Sequence, residues 1–227
     1  LKSPLFRFLL WKHGLSPDKP REANHKYLAD LLTELKASRH VHKAVLLGMD
    51  GAYDHNGRYN QAHTDLLIGN DYVLKTAQAH PTEFLAGVSI NPQRRDAIDE
   101  VHRCADTGAI LVKVLRNAQQ FDPANRKYTP FYRALAERKL PFLSHVGYEF
   151  SLIGKDQSVG EPDRLRLALD EGATVIAAHA CSYGLIIYEK FLPTLRDLVQ
   201  RYPNFYSDIS ALTLPNRMRM LLHLRQY

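Results

Sequence analysis

Two short aliphatic runs in this sequence each end on a histidine, and the two histidines stand 34 positions apart. The segment Lys-Leu-Pro-Phe-Leu-Ser-His-Val-Gly, residues 139–147, reads as a buried strand over 141–144 that closes on His145 and breaks at Gly147. The segment Ala-Thr-Val-Ile-Ala-Ala-His, residues 173–179, repeats the design and closes on His179. That spacing is the length of one strand–helix–strand unit. Parallel α/β folds carry their chemistry at the C-terminal ends of buried strands, so a titratable, metal-competent side chain recurring there constrains fold and site together.

The rest of the chain follows the same rhythm. Strands are expected over 43–47, 84–90, 110–115, 141–144, 173–179 and 204–209. After a short apolar opening segment, 4–13, helices are expected over 22–39, 70–80, 92–108, 131–139, 162–171 and 188–202, with another beginning near Asn216. Leu28, Leu31, Leu32 and Leu35 repeat at helical intervals. Asn70-Asp71 reads as a helix cap with Pro81 as its stop, and Pro92 suits a first helical turn. The polar stretch 51–69, with His55 and His63, has the length of a functional loop. Strand–helix alternation repeated six times means a parallel sheet with right-handed crossovers, and continuous aliphatic strands mean that both faces are covered. A (β/α)8 TIM barrel takes ~250 residues. The expectation is one α/β domain over 1–227, a TIM barrel lacking its first and last strands and so truncated at both ends.

Composition narrows the partners. The net charge is +6, but Arg94, Arg95, Arg103, Lys139, Arg164, Arg166 and Arg196 are dispersed among acids, without the stripe or aromatic interleaving of a nucleic-acid footprint. No nucleic acid is therefore expected. Two cysteines, Cys104 and Cys181, are too few for a disulfide framework and fit a reducing, cytoplasmic setting. No apolar run approaches the ~20 residues of a membrane span. The aromatic-bearing surface is compatible with a homo-oligomer.

Polar residues recur where strands end: Asp50, Asn91, Lys113 with Arg116, His145, His179 and Asp208. A barrel would bring them to one rim. Imidazole nitrogen and carboxylate oxygen suit zinc and similar divalent ions. A single strand-end histidine is ordinarily a hydrogen-bonded structural residue, whereas two of them one repeat apart favour function. Lys113 lies in an otherwise aliphatic run, where a bare ammonium is costly. It is open to three readings: an ion pair, a base of lowered pKa, or a carboxylated, metal-bridging side chain. Asp208 is open between a substrate contact or a residue that supports the metal ligands from behind, and a helix or loop cap. His55 and His63 read as loop residues, and His13, His25, His40, His42, His80, His102 and His223 as surface. Tyr128, Phe131 and Tyr132 read as core.

Several of these pieces occur together in a familiar order: Phe-Leu-Ala-Gly-Val-Ser-Ile-Asn-Pro, Gly-Ala-Ile-Leu-Val-Lys-Val, Phe-Asp-Pro, Phe-Leu-Ser-His-Val-Gly, Ala-Ala-His-Ala and Asn-Phe-Tyr-Ser-Asp-Ile-Ser. From about residue 43 to 210 the sequence resembles the amidohydrolase-related, metal-dependent hydrolase family of TIM barrels, a branch that also holds decarboxylases. The resemblance implies that His145 is the fifth-strand metal ligand. It makes His179 the sixth-strand histidine, which binds metal or acts as acid/base beside it. Lys113 falls at the fourth-strand position, where relatives carry a carboxylated or a plain lysine, and Asn70-Asp71-Tyr72 matches the opening of the helix after the second strand. Two departures stand out. The family's first strand carries a His-x-His pair, and His40-Val41-His42 has that spelling but precedes the second strand. The family's eighth-strand metal-binding aspartate would lie beyond Tyr227. The sequence then holds only part of a metal site.

The expected activity is attack of metal-activated water on a small amide, ester or lactone. His145 and His179 would hold the metal, His179 and Lys113 would serve catalysis, and Arg116 and Asp208 would bind substrate. The alternatives are metal-dependent decarboxylation of a small acid on the same barrel, or a catalytically silent barrel acting as a binding module. A metal-dependent nuclease would require salt-sensitive nucleic-acid binding.

Overall fold

The computed structural model describes residues 4–16, 18–149, 152, 156–183, 189–215 and 217–224. Helices α1 (Pro4–Lys12) and α2 (Pro20–Ala37) precede strand β1 (Ala44–Leu47). There follow α3 (Asn70–Ala79), β2 (Phe84–Val88), α4 (Ala97–Asp106), β3 (Ala109–Val114), α5 (Arg116–Gln119) and α6 (Thr129–Glu137). The chain continues with β4 (Phe142–Ser144), α7 (Arg166–Asp170), β5 (Val175–Ala177), α8 (Leu192–Arg201), β6 (Phe205–Ser207) and α9 (Arg219–His223). The six strands form one sheet in chain order, and every neighbouring pair is parallel. This is the strand order of a TIM barrel. Among the described residues β1 and β6 do not pair, so the barrel is open, and no helix is long and apolar enough to cross a membrane.

The register sorts side chains between two faces. Val112, Phe142, Val175 and Phe205 lie in one cross-strand row and are buried in the core with residues of the helices. The neighbouring row, Lys113, Leu143, Ile176 and Tyr206, lies on the opposite face, which lines the interior of a closed barrel, and is half-buried to exposed. Successive strand residues alternate faces. Continuing that alternation by one pleat puts His145 and Asp208 on the interior side, with Lys113 one layer below His145. On the helical side Tyr128, Phe131 and Tyr132 are buried as expected. Tyr132 and Phe131 meet Phe142 edge to face, and the Tyr132 hydroxyl donates to Pro123 O at 2.9 Å.

Local differences from the sequence pattern have identifiable causes. Asn70 is the first residue of α3 rather than its cap. Its side chain reaches across the sheet, where Oδ1 accepts from Ser89 N at 2.8 Å and Nδ2 donates to Glu100 Oε1 at 2.8 Å. Helix α4 starts at Ala97 instead of Pro92, because Asn91 Oδ1 accepts from Gln93 N and Arg94 turns back onto Asp96 and Asp50. Residues 51–69 are tied down by antiparallel bridges, Met49 to Ile68 and Tyr53 to Tyr59, so this stretch is a pinned excursion rather than a free lid. The expected start of the last long helix at Tyr188, and Asn216 near the final one, lie outside the described residues.

The Asn70 bridge gives a stability test. Asn70→Ala strips a buried amide and the Glu100 carboxylate of one partner each. Each loss costs about 1–3 kcal/mol where water cannot replace the bond. Glu100 keeps its bidentate Arg103 partner, so the expected loss is about 1–3 kcal/mol in total, read from the urea midpoint at constant m.

Candidate functional site

His145 follows β4 directly and its amide donates to Val114 O at 3.0 Å, continuing the ladder by one step. The residue is only 5% exposed. His179 does not end β5. The strand stops at Ala177, and His179 begins a run of three left-handed residues, His179 (φ 62), Ala180 (φ 49) and Cys181 (φ 55). Consecutive non-glycine residues in that region are strained and persist only when their surroundings over-determine them. Here the end of β6 does so: His179 N donates to Asp208 Oδ1 at 2.8 Å and Ala180 N donates to Asp208 O at 2.8 Å. The left-handed turn swings the His179 ring toward β4, bringing Nε2 to 3.1 Å from His145 Nδ1. The far nitrogen, His179 Nδ1, lies 3.0 Å from Ser210 O and 2.8 Å from Ser210 Oγ.

One atom of this cluster stands apart. His145 Nε2 is buried and has no hydrogen-bond partner among the described residues. The Glu149 carboxylate stands near it, with Oε2 at 3.7 Å, beyond hydrogen-bonding range.

The electrostatics keep both imidazoles neutral. Burial, reinforced by the positive charge of Lys113, holds His145 well below its ordinary pKa. Burial and the nearby Arg217 bring His179 down to about 4. Lys113 is lowered to about 8 by burial, against the opposing pull of Asp208 and Glu149. Burial acts to raise Asp208, but hydrogen bonds from Ser210 and the His179 amide outweigh it and keep the carboxylate below its ordinary range. Neutral imidazole is the form that binds metal.

The other expected rim residues divide. Lys113, His145, His179 and Asp208 form one neighbourhood, and Arg116 lies beneath it. Arg116 is fully buried, and its guanidinium donates to His145 O at 2.9 Å and to Glu161 O at 3.4 Å. Its geometry supports the His145 backbone and is not open on the rim. Asp50 and Asn91 belong to a separate knot: Asp50 accepts from Asn91 N, Gly51 N, the Tyr53 hydroxyl and Arg94, while Asn91 Nδ2 donates to Gly51 O and Gln119 O. Three residues of the neighbourhood had no sequence signal that singled them out, namely Glu149, Ser210 and Arg217. Arg217 donates to Ser182 O, Ser182 Oγ and Tyr148 O, joining the loops that follow β4 and β5. Each comes from a loop, where periodicity carries no information.

The donor set fits a divalent ion in part. An unpartnered, buried imidazole nitrogen faces a carboxylate oxygen at 3.7 Å. Two ligand atoms sharing a tetrahedral ion with ~2.1 Å bonds stand ~3.4 Å apart. Among the described residues no group of three His, Cys, Asp or Glu side chains closes around a common point, so these groups make up part of a coordination sphere.

An open parallel sheet in TIM-barrel order with polar side chains at its C-terminal ends is the architecture of barrel enzymes. The amidohydrolase family model matches residues 63–220, and the chain belongs to that family. Solved structures agree on the fold. A candidate 2-pyrone-4,6-dicarboxylic acid hydrolase from Pseudomonas putida superposes with TM-score 0.58 at 16% identity, over 88% of this chain and 64% of that one. A candidate amidohydrolase from Staphylococcus aureus gives 0.56 at 14% identity, over 92% and 80%. The 5-carboxyvanillate decarboxylase of Sphingomonas paucimobilis gives 0.55 at 13% identity, over 85% and 67%. This chain thus spans 64% to 80% of the length of those three proteins. No curated protein sequence matches it.

Proposed function

We propose that this chain supplies part of the active site of a metal-dependent hydrolase acting on a small amide, ester or lactone, with zinc the first candidate among divalent ions. The observation that carries the reading is the buried Nε2 of His145 at the end of β4, which has no hydrogen-bond partner among the described residues. His145 through Nε2 and Glu149 through its carboxylate would hold the ion. A divalent ion bound there supplies Lewis acidity toward a scissile carbonyl and lowers the pKa of water. His179 would orient His145 by accepting a hydrogen bond from its Nδ1–H at Nε2. Lys113, one layer below and lowered to about 8, can give or take a proton at Nζ near neutral pH. Arg116 holds the His145 carbonyl in place, and Asp208 holds His179.

Decarboxylation of a small acid is the second reading, favoured by the charge of the site. Lys113, Arg116 and Arg217 outnumber Glu149 and Asp208 around two neutral imidazoles, a balance that attracts a carboxylate. The test is bound metal per chain, on protein purified without chelator or affinity metal. About one or two equivalents, lost on His145→Ala, is the expected result. Absence of metal even after reconstitution would instead favour a silent barrel. Product analysis over a panel of esters, lactones and carboxylic acids, scoring water addition against CO2 release, then separates the two chemistries.

A further inference from the structure

The hydrogen-bond chain behind His145 has a direction that can be read from its far end. Ser210 O is a carbonyl and can only accept, so at 3.0 Å it calls for a proton on His179 Nδ1. Ser210 Oγ gives the same answer independently. Its own proton is directed to Asp208 Oδ1, which as a carboxylate oxygen can only accept, and its lone pair then receives His179 Nδ1–H at 2.8 Å. With the proton on Nδ1, a neutral His179 has a bare Nε2. At 3.1 Å that nitrogen accepts from His145 Nδ1, which must therefore carry the proton of the second ring. His145 Nε2 is left as a lone pair, and it is the buried atom without a partner.

We infer that Asp208 and Ser210 act as a tautomer clasp: they fix the proton on His179 Nδ1 and, through the His179–His145 bond, present the bare Nε2 of His145 to the site. Ser210 is accordingly a positioning residue that acts through two rings. Asp208 has a second hold on the same unit, since its Oδ1 also accepts from the His179 and Ser210 amides. The consequence for metal rests on the proposed reading of His145 as a ligand, whereas the tautomer assignment does not.

The experiment uses the chain labelled with 15N-histidine. Imidazole 15N shifts report which nitrogen of each ring is protonated, without any metal present, and zinc titration by calorimetry gives affinity. Both rings of the unaltered chain are expected as Nδ1–H tautomers. Ser210→Ala removes the hydroxyl and leaves the Ser210 carbonyl to hold His179 Nδ1–H, so it is expected to let in part of the other His179 tautomer and to weaken zinc binding by about 10-fold, the low end of the effect of losing an outer hydrogen-bond partner. Asp208→Asn is expected to do the same, and Ser210→Thr to restore both readouts, with melting temperature serving as the control for folding. A proton on His179 Nε2 in the unaltered chain would overturn the clasp. So would a Ser210→Ala chain with unchanged shifts and unchanged affinity. If the shifts are as expected but zinc does not bind, the clasp stands and the metal reading fails. If zinc binds through His145 while the rings carry the other tautomers, the metal reading stands and the clasp fails.

Discussion

Replacing His145 with phenylalanine is expected to abolish metal binding and to lower turnover by about 10²- to 10⁴-fold while leaving the fold at least as stable. The activity figure is the several kcal/mol that a Lewis acid contributes, at 1.36 kcal/mol per tenfold. The stability expectation follows from the orphaned nitrogen. An unpaired buried polar atom costs about 1–3 kcal/mol, and His145 Nε2 is such an atom. Phenylalanine keeps a planar aromatic ring, one atom larger, and removes the cost. It also removes the donor to His179 Nε2, but that ring is half-buried, so water can take the donor's place. Alanine is the worse probe of the same idea, because the cavity left at this buried position would add a destabilisation unrelated to chemistry. A structural histidine behaves the other way: loss of stability with turnover intact. Urea midpoints and turnover, measured on the same His145→Phe preparation, distinguish the two outcomes.

The architecture was legible because it is written in periodicity. Six aliphatic runs separated by amphipathic segments leave few arrangements other than parallel strands in chain order, and each expected strand overlaps an observed one. His145 and His179 were legible as a pair for the same reason, since one repeat separates them and neighbouring parallel strands bring repeat-spaced ends together. What the pattern could not carry was direction. His179 lies past its strand in a left-handed turn, and nothing in Ala-Ala-His-Ala-Cys announces that the ring will swing toward β4. Arg116 follows Lys113 by three residues, yet one faces the barrel interior and the other is sealed below the rim against His145 O and Glu161 O. Glu149, Ser210 and Arg217 reach the site from loops, and their relevance comes from contacts across 69 residues, as in the bond from Arg217 to Tyr148 O. The helix over 70–80 starts at Asn70 as expected, but its cap reading failed because the Asn70 side chain found distant partners in Ser89 and Glu100.

Gly147→Ala is expected to be among the most damaging single-atom additions in the chain, costing about 3 kcal/mol or more and weakening both metal binding and turnover. Gly147 has φ +89, and a Cβ there would stand 2.4 Å from Ser182 O and 2.6 Å from Tyr183 O. Both are backbone atoms, so no flexible side chain can move aside. The opposite direction is closed as well: Gly147 N donates to Gly160 O at 3.0 Å, and Gly160 itself tolerates no Cβ because Gly147 O would lie 2.4 Å from it. The strand exit is therefore gripped between two backbone segments. A left-handed alanine costs about 1–2 kcal/mol from sterics alone. Relief of the contacts would push the 182–183 segment outward, and Arg217 holds that segment through Ser182 O at 3.1 Å and the neighbouring Tyr148 O at 3.1 Å. Each carbonyl left unpaired adds about 1–3 kcal/mol. His145 is two residues away, and a displacement of about 1 Å at a reacting centre costs ~10²-fold in rate. Gly108→Ala is the matched control. Gly108 has φ +99, and a Cβ there would meet nothing within 4 Å, so it isolates the conformational part. Unfolding free energies from urea transitions of the two variants should therefore differ by about 1–3 kcal/mol, with zinc affinity falling only for Gly147→Ala. Equal losses would mean that the β4 exit moves freely and that its contacts with Ser182 and Tyr183 do not set the position of His145.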